Sequence, residues 1–92
     1  MAKDILHIIQ ENMDGFSKGR KRIASYILSN YDKAAFMTAY KMSTLTDVSE
    51  STVVRFAAAL GYEGYPGMQK ALQELVRNKQ ASENTGEANR DE

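Results

Sequence analysis

Two groups of side chains in this sequence carry charge or hydroxyl groups at spacings that suit the binding of an anion. One is a basic run over 18–22, and the other is a run of polar residues that begins at Ser49 and leads to a lone cation, Arg55. Covalent chemistry has little support, because the chain has no cysteine and its single histidine is His7. These counts exclude a thiol nucleophile and a cysteine-ligated metal, and they leave no histidine cluster. The sequence therefore predicts a binding domain that is not an enzyme and that holds no metal or cofactor.

The elements that must position these groups are helices. Apolar residues recur at helical spacing over 1–79, and no run alternates strictly as a half-buried strand does. The pattern predicts helices over about 3–13, 18–30, 39–46, 50–60 and 66–79, with a helical turn over 32–36. Ser17, Thr38 and Ser49 stand where N-caps belong, and Gly61 suits the end of the fourth helix. We expect an all-α fold, a compact bundle of about five helices.

The last residues differ in composition from the rest of the chain. Residues 80–92 contain four acids, one base and no aromatic side chain, whereas residues 1–79 contain 11 bases and 8 acids. Such a segment buries too little apolar surface to offset the entropy that ordering would cost. We therefore expect a disordered acidic linker over 80–92, either between this domain and another or as the frayed end of a small protein.

The segment 39–58 carries the main functional signal. Its residues that we expect to face inward are Met42, Leu45, Val48, Val53 and Phe56. Two short helices around a three-residue break are typical of a helix-turn-helix, whose second helix stands out from the surface and can enter a major groove. Other αα-hairpins share this spacing, so the pattern alone leaves DNA binding and protein interaction both open.

A longer string identifies a family resemblance. The matching residues run from Val48 to Tyr65, including Thr52-Val53-Val54-Arg55-Phe56, Leu60-Gly61-Tyr62 and Gly64-Tyr65, and continue at Phe16-Ser17, Arg22-Ile23-Ala24, Tyr26-Ile27-Leu28, Lys70 and Leu72. Over residues 1–79 the chain closely resembles the RpiR-type N-terminal domain of bacterial transcription regulators. The resemblance implies an all-helical DNA-binding domain that is usually followed by a sugar isomerase (SIS) domain, which senses a phosphosugar. We expect that second domain to be absent here.

Two positions depart from the family pattern. Asp47 stands where the family commonly has Gly, and Ser43 stands where it tends to have Ala. The turn residue often needs a positive φ, which Asp tolerates better than most residues. Since Ser is nearly as small as Ala, we expect the helix-turn-helix geometry to be kept.

The fourth helix is the expected reading element, with Val53, Phe56, Ala57 and Leu60 as its core stripe. The candidates for DNA contact are Ser49, Glu50, Ser51, Thr52, Arg55, Ala58 and Ala59. Arg55 can pair bidentately with guanine, and the alternative is a surface ion pair with Glu50 or Glu63. We expect Ser49 to act mainly as a cap. Glu50 either accepts from cytosine or balances the helix dipole.

Positive charge at the start of the second helix opposes the helix dipole, so stability alone would favour acids there. We therefore expect the basic run to face phosphates, with a solvated charge run as the alternative. The candidates for this contact are Lys18, Arg20, Lys21 and Arg22. Lys41 on the first helix of the motif is a further candidate, and so is Lys70 on the last helix, where the family pattern carries a Lys.

The expected partner is double-stranded DNA, bound by a homodimer at a palindromic operator. The expected role is regulation of sugar or phosphosugar metabolism in the cytoplasm, with no membrane partner. A phosphosugar effector would act only through the missing C-terminal domain. The alternative is a helical protein-interaction or dimerisation module without nucleic-acid binding, which predicts an exposed apolar groove and binding that hardly depends on salt.

Overall fold

The structure is a computed structural model that describes residues 4–91, with side chains described for residues 4–79. This part of the chain forms α1 (Ile5–Asn12), a 3-10 turn (Met13–Gly15), α2 (Lys18–Ala34), α3 (Ala39–Thr46), α4 (Glu50–Ala59) and α5 (Gly64–Asp91), and it contains no strand. The expected all-α bundle of about five helices is confirmed. The predicted acidic linker over 80–92 overlaps the end of α5, in a stretch whose side chains are not described, and it stays a prediction.

The helix starts follow from capping side chains. Ser17, Thr38 and Ser49 each precede a helix and accept a hydrogen bond from the backbone N–H three residues on, at 3.4, 3.0 and 3.1 Å respectively. Asp4 does the same for α1 at 2.9 Å. These bonds satisfy donors that the first turn of a helix otherwise leaves without a partner. The three predicted caps are therefore confirmed.

The end of α2 and the start of α5 differ from the sequence prediction. The predicted break after residue 30 is a kink at Asn30, with φ −138° and ψ 42°, and α2 continues beyond it to Ala34. Ala34 and Ala35 are fully buried, so packing holds the last turn of α2 in place. At the other boundary α5 begins at Gly64, two residues ahead of the predicted start at Pro66.

The core lies where α4 packs against α2, α3 and α5. Its largest fully buried side chain belongs to Phe56, whose ring centre lies 5.2 Å from that of Phe16. Val53 and Ala57 are also fully buried, and Leu60 at the end of α4 is half-buried. The predicted core stripe of α4 is thus confirmed, with Leu60 at its margin.

The prediction that Leu45 faces inward is wrong. Leu45 is 48% exposed, and Ser43 and Thr46 join Met42 on the buried side of α3. Both hydroxyls are satisfied within the helix: Ser43 donates to the Tyr40 carbonyl at 2.6 Å, and Thr46 donates to the Met42 carbonyl at 2.7 Å. Because these local bonds remove the cost of burying a hydroxyl, polar residues can fill the inner side of this short helix.

Side chains of α5 hold the junction between α2 and α3. Tyr65 and Gln69 both donate to the Met37 carbonyl, at 2.7 and 2.9 Å, and Gln73 donates to the Ala35 carbonyl at 3.0 Å. Burial, with a smaller contribution from Tyr26, raises the pKa of Tyr65 to about 12. Side chains from three successive turns of α5 thus bind the backbone of the junction between α2 and α3. These bonds hold the junction in place just before α3 begins.

Among the described residues, no helix combines the length and the hydropathy that a bilayer crossing requires.

Candidate nucleic-acid interface

The turn between α3 and α4 has the geometry of a helix-turn-helix. Asp47 ends α3 in the left-handed conformation, with φ 59° and ψ 45°. The Ser43 carbonyl accepts hydrogen bonds from the backbone N–H groups of Asp47 and Val48, the latter at 3.0 Å. Ser49 then caps α4. The left-handed residue reverses the chain within three residues, and Asp accepts this conformation more readily than most other residues.

The far end of α4 is closed by a glycine. Gly61 has φ 100°, its N–H bonds the Ala58 carbonyl at 3.0 Å, and the N–H of Tyr62 bonds the Ala57 carbonyl at 3.1 Å. This pair of bonds is a Schellman motif, which requires a residue that tolerates positive φ. Gly61 therefore ends the helix as the sequence predicts.

The side of α4 opposite its core stripe faces solvent. The exposed residues on it and at its start are Ser49, Glu50, Ser51, Val54, Arg55, Ala58 and Ala59, while Thr52 is half-buried. The Ser49 hydroxyl lies 2.8 Å from that of Thr52, so these two predicted contact residues are also each other's partners. The expected role of Ser49 as a cap is confirmed.

Arg55 is exposed, and the predicted alternative of a surface ion pair does not occur in the described part of the chain. Neither Glu50 nor Glu63 forms a salt bridge with it there. Instead, Glu50, Ser51, Val54 and Arg55 border one shallow depression on the surface. The guanidinium is thus available to a ligand.

The basic run of α2 lies beside the turn that starts α4. A Cβ atom added to Gly19 would lie 3.3 Å from Cγ1 of Val48, so the backbone of α2 approaches the turn closely. The amino ends of α2 and α4 are therefore neighbours. Lys18 and Lys21 are exposed next to this contact, and Arg20 is half-buried.

Arg22 has partners within the protein that sequence reasoning missed. Its Nε donates to the Thr46 carbonyl at 2.9 Å, and its Nη2 donates to the Asp47 carbonyl at 3.1 Å. The last carbonyls of a helix lack intrahelical partners, and a guanidinium can donate to two of them at once. The sequence did show an Arg on the helix before α3, which is a suitable donor for such carbonyls. The pairing itself could not be predicted, because it depends on how α2 crosses α3.

Two further predicted residues lie elsewhere. Lys41 is exposed in the first turn of α3, and Lys70 is exposed on α5. Within the described residues no hydrogen bond joins either ammonium group to the turn or to α4. The structure brings the α2 cluster and the start of α4 together, and it leaves these two lysines as separate positive charges.

Comparisons with known proteins agree with this geometry. Residues 3–79 match the family described as "Helix-turn-helix domain, rpiR family". The chain is 32% identical over 74 residues to the uncharacterized HTH-type transcriptional regulator YfhH of Escherichia coli (strain K12), covering 80% of this chain and 26% of that protein. It is 33% identical over 70 residues to the HTH-type transcriptional regulator HexR of Pseudomonas aeruginosa, covering 76% of this chain and 25% of that protein.

A solved structure is also similar. The structure of the Vibrio vulnificus NanR protein complexed with ManNAc-6P matches with a TM-score of 0.78 and 31% sequence identity, and the match covers 90% of this chain and 32% of that one. The chain spans about a quarter of the length of the two curated relatives, at 26% and 25%.

Proposed function

This chain belongs to the rpiR family of helix-turn-helix domains, and from that premise we propose that it binds double-stranded DNA in a sequence-specific way through α4. The observation that carries the proposal is the division of α4 into two faces. Val53, Phe56 and Ala57 are fully buried, whereas Arg55 is exposed and forms no ion pair with a described side chain. A helix held by one face and free on the other suits insertion into a major groove.

On the free face, Arg55 reads a guanine through its O6 and N7 atoms. Ala58 and Ala59 are small, so the helix axis can approach the bases. Ser51, together with Ser49, Glu50 and Thr52 at the start of α4, lies at the end that enters the groove first in this motif.

Phosphate contacts come from the neighbouring start of α2. Lys18, Arg20 and Lys21 bring positive charge to the point where the amino ends of α2 and α4 meet, and free backbone N–H groups there favour an anion. Arg22 uses two of its N–H groups on the turn, which leaves the others for a phosphate. Lys41 and Lys70 add contacts at the margins of the footprint.

We place this domain in a cytoplasmic transcriptional regulator of sugar or phosphosugar metabolism, without catalytic activity of its own. Two relatives are named HTH-type transcriptional regulators, and the matched NanR structure is a complex with ManNAc-6P. It would act as a homodimer on a palindromic operator, because the two half-sites of such an operator mirror the two-fold symmetry of a dimer. A phosphosugar effector would bind to another domain.

Selection of bound sequences from a random DNA pool, at two salt concentrations, tests this proposal. The expected result is one enriched motif whose affinity falls as salt rises, because bound cations displace counterions from the phosphates. Residues 1–79 carry 11 bases and 8 acids, so we expect weak binding by the isolated chain. The absence of any enriched motif at the lower salt concentration would refute the proposal.

A helical protein-interaction module is the second candidate. Phe36 and Tyr40 are each 68% exposed at the junction between α2 and α3, and exposed aromatic side chains are common in protein interfaces. This candidate predicts no enriched DNA motif and a protein partner whose affinity hardly changes with salt.

A further inference from the structure

Val54 is an apolar side chain exposed on the proposed DNA-facing side of α4. Its exposed fraction is 40%, and its neighbours on that side, Ser51, Arg55 and Ala58, are exposed as well. A β-branched residue at an exposed helical position costs helix stability relative to Ala, the residue that this face carries at position 58. Helix stability therefore does not account for Val54.

The surroundings of Val54 match groups that the major groove displays. Helical side chains lean toward the amino end of their helix, so Val54 leans toward Ser51, and both border the same depression as Glu50 and Arg55. This depression combines two methyl groups with a guanidinium, a hydroxyl and a carboxylate. In the major groove, thymine presents its C5-methyl group, while guanine presents N7 and O6.

We propose that Val54 is a specificity-determining residue that packs against the C5-methyl group of a thymine, in the base pair next to the guanine read by Arg55. This inference rests on the proposed function. Val54 and Arg55 are consecutive and border the same depression, which brings both side chains within reach of neighbouring base pairs. The positive charges of Lys18 and Lys21 beside the start of α4 favour a polyanion as the occupant of this surface over an apolar protein segment.

The test removes a single methyl group from the DNA. In the motif selected by the full chain, each thymine is replaced in turn by deoxyuridine, and affinity is measured for the parent, Val54→Ala and Val54→Thr. Phe36→Ala is the control, since it removes an exposed apolar side chain outside α4. Circular dichroism confirms that each variant is folded.

The parent should bind about fourfold more weakly when one particular thymine in the half-site loses its methyl, the effect of about one buried methyl group. Val54→Ala should bind both DNAs equally at that position, Val54→Thr should show an intermediate ratio, and Phe36→Ala should keep the parent's ratio. Equal binding by the parent at every thymine, or a fourfold ratio retained by Val54→Ala, would overturn the inference. These outcomes presuppose a selected motif, and a selection that yields none refutes the proposed function instead.

Discussion

Arg22 on α2 hydrogen-bonds the carbonyl of Thr46 at the end of α3, with 2.9 Å between Nε and the oxygen. A second bond, from Nη2 to the carbonyl of Asp47, measures 3.1 Å. Arg22 belongs to the basic cluster at the start of α2 and also binds the carbonyls at the end of α3. The basic cluster and the turn are thus joined directly by hydrogen bonds. The position of α4 depends on α2 for the same reason.

Replacement of Arg22 should destabilise the fold, and replacement of its neighbour should not. We expect Arg22→Ala to lower the free energy of unfolding by about 1–2 kcal/mol, since it removes two charge-assisted hydrogen bonds at a partly exposed site. Lys21→Ala is the matched control, because Lys21 is exposed, and its effect should stay within about 0.5 kcal/mol. Urea unfolding measures both changes, and equal losses in the two variants would contradict the role assigned to Arg22.

Tyr65 should make the bundle less stable as pH rises in the alkaline range. Its hydroxyl donates to the Met37 carbonyl, and its pKa is raised to about 12, above the ordinary value of 10.0. A raised pKa means that the folded state holds the proton more tightly, so this contribution is complete below pH 10 and is lost as pH rises through about 12.

Tyr65→Phe isolates that contribution. We expect a loss of about 1 kcal/mol at neutral pH, because the Met37 carbonyl keeps its hydrogen bond from Gln69. The difference in stability between parent and variant should shrink as the pH of urea titrations rises from 10 toward 12. Since both proteins keep the other tyrosines, a difference that stays constant over this interval would show that Tyr65 titrates no differently in the folded and unfolded states.

The left-handed conformation of Asp47 predicts a contrast between two substitutions. Asp47→Gly should be at least as stable as the parent, since Gly adopts φ 59° without a steric penalty. Asp47→Val should lose about 1 kcal/mol, because a β-branched side chain is strained there. Thermal unfolding ranks the three proteins, and a Val variant as stable as the parent would rule out the strain argument.

Two apolar residues of α3 should respond in opposite ways to truncation. Met42 is fully buried, so Met42→Ala should cost about 2–5 kcal/mol through lost burial and a cavity. Leu45 is 48% exposed, and Leu45→Ala should change stability by less than about 0.5 kcal/mol. Chemical unfolding of both variants checks this assignment, which reverses the sequence prediction for Leu45.

Much of the fold follows from local rules that a sequence displays. The caps at Ser17, Thr38 and Ser49 and the glycine end at Gly61 depend on hydrogen bonds within a few residues, so their positions were predictable. The buried stripe of α4 was also predictable, because Val53, Phe56 and Ala57 recur at helical spacing.

The remainder depends on contacts between distant segments. Leu45 is exposed and Thr46 is buried on α3, because Thr46 satisfies its hydroxyl inside the helix, which apolar periodicity does not register. The double role of Arg22 needs the crossing of α2 over α3, with partners 24 and 25 residues away. Lys41 was a candidate because it lies on the first helix of the motif, and Lys70 because the family pattern carries a Lys there. Neither reason fixes where the ammonium group lies relative to α4.

In the proposed function, Arg55 reads a base from the free face of α4. The most direct measurement is the affinity of parent, Arg55→Ala and Lys21→Ala for the selected motif and for each of its single-base variants. We expect Arg55→Ala to weaken binding by about 1–3 kcal/mol and to lose discrimination at one base pair, and Lys21→Ala to weaken all sequences alike with a smaller salt dependence. An Arg55→Ala protein that binds and discriminates like the parent would contradict the proposed role of Arg55.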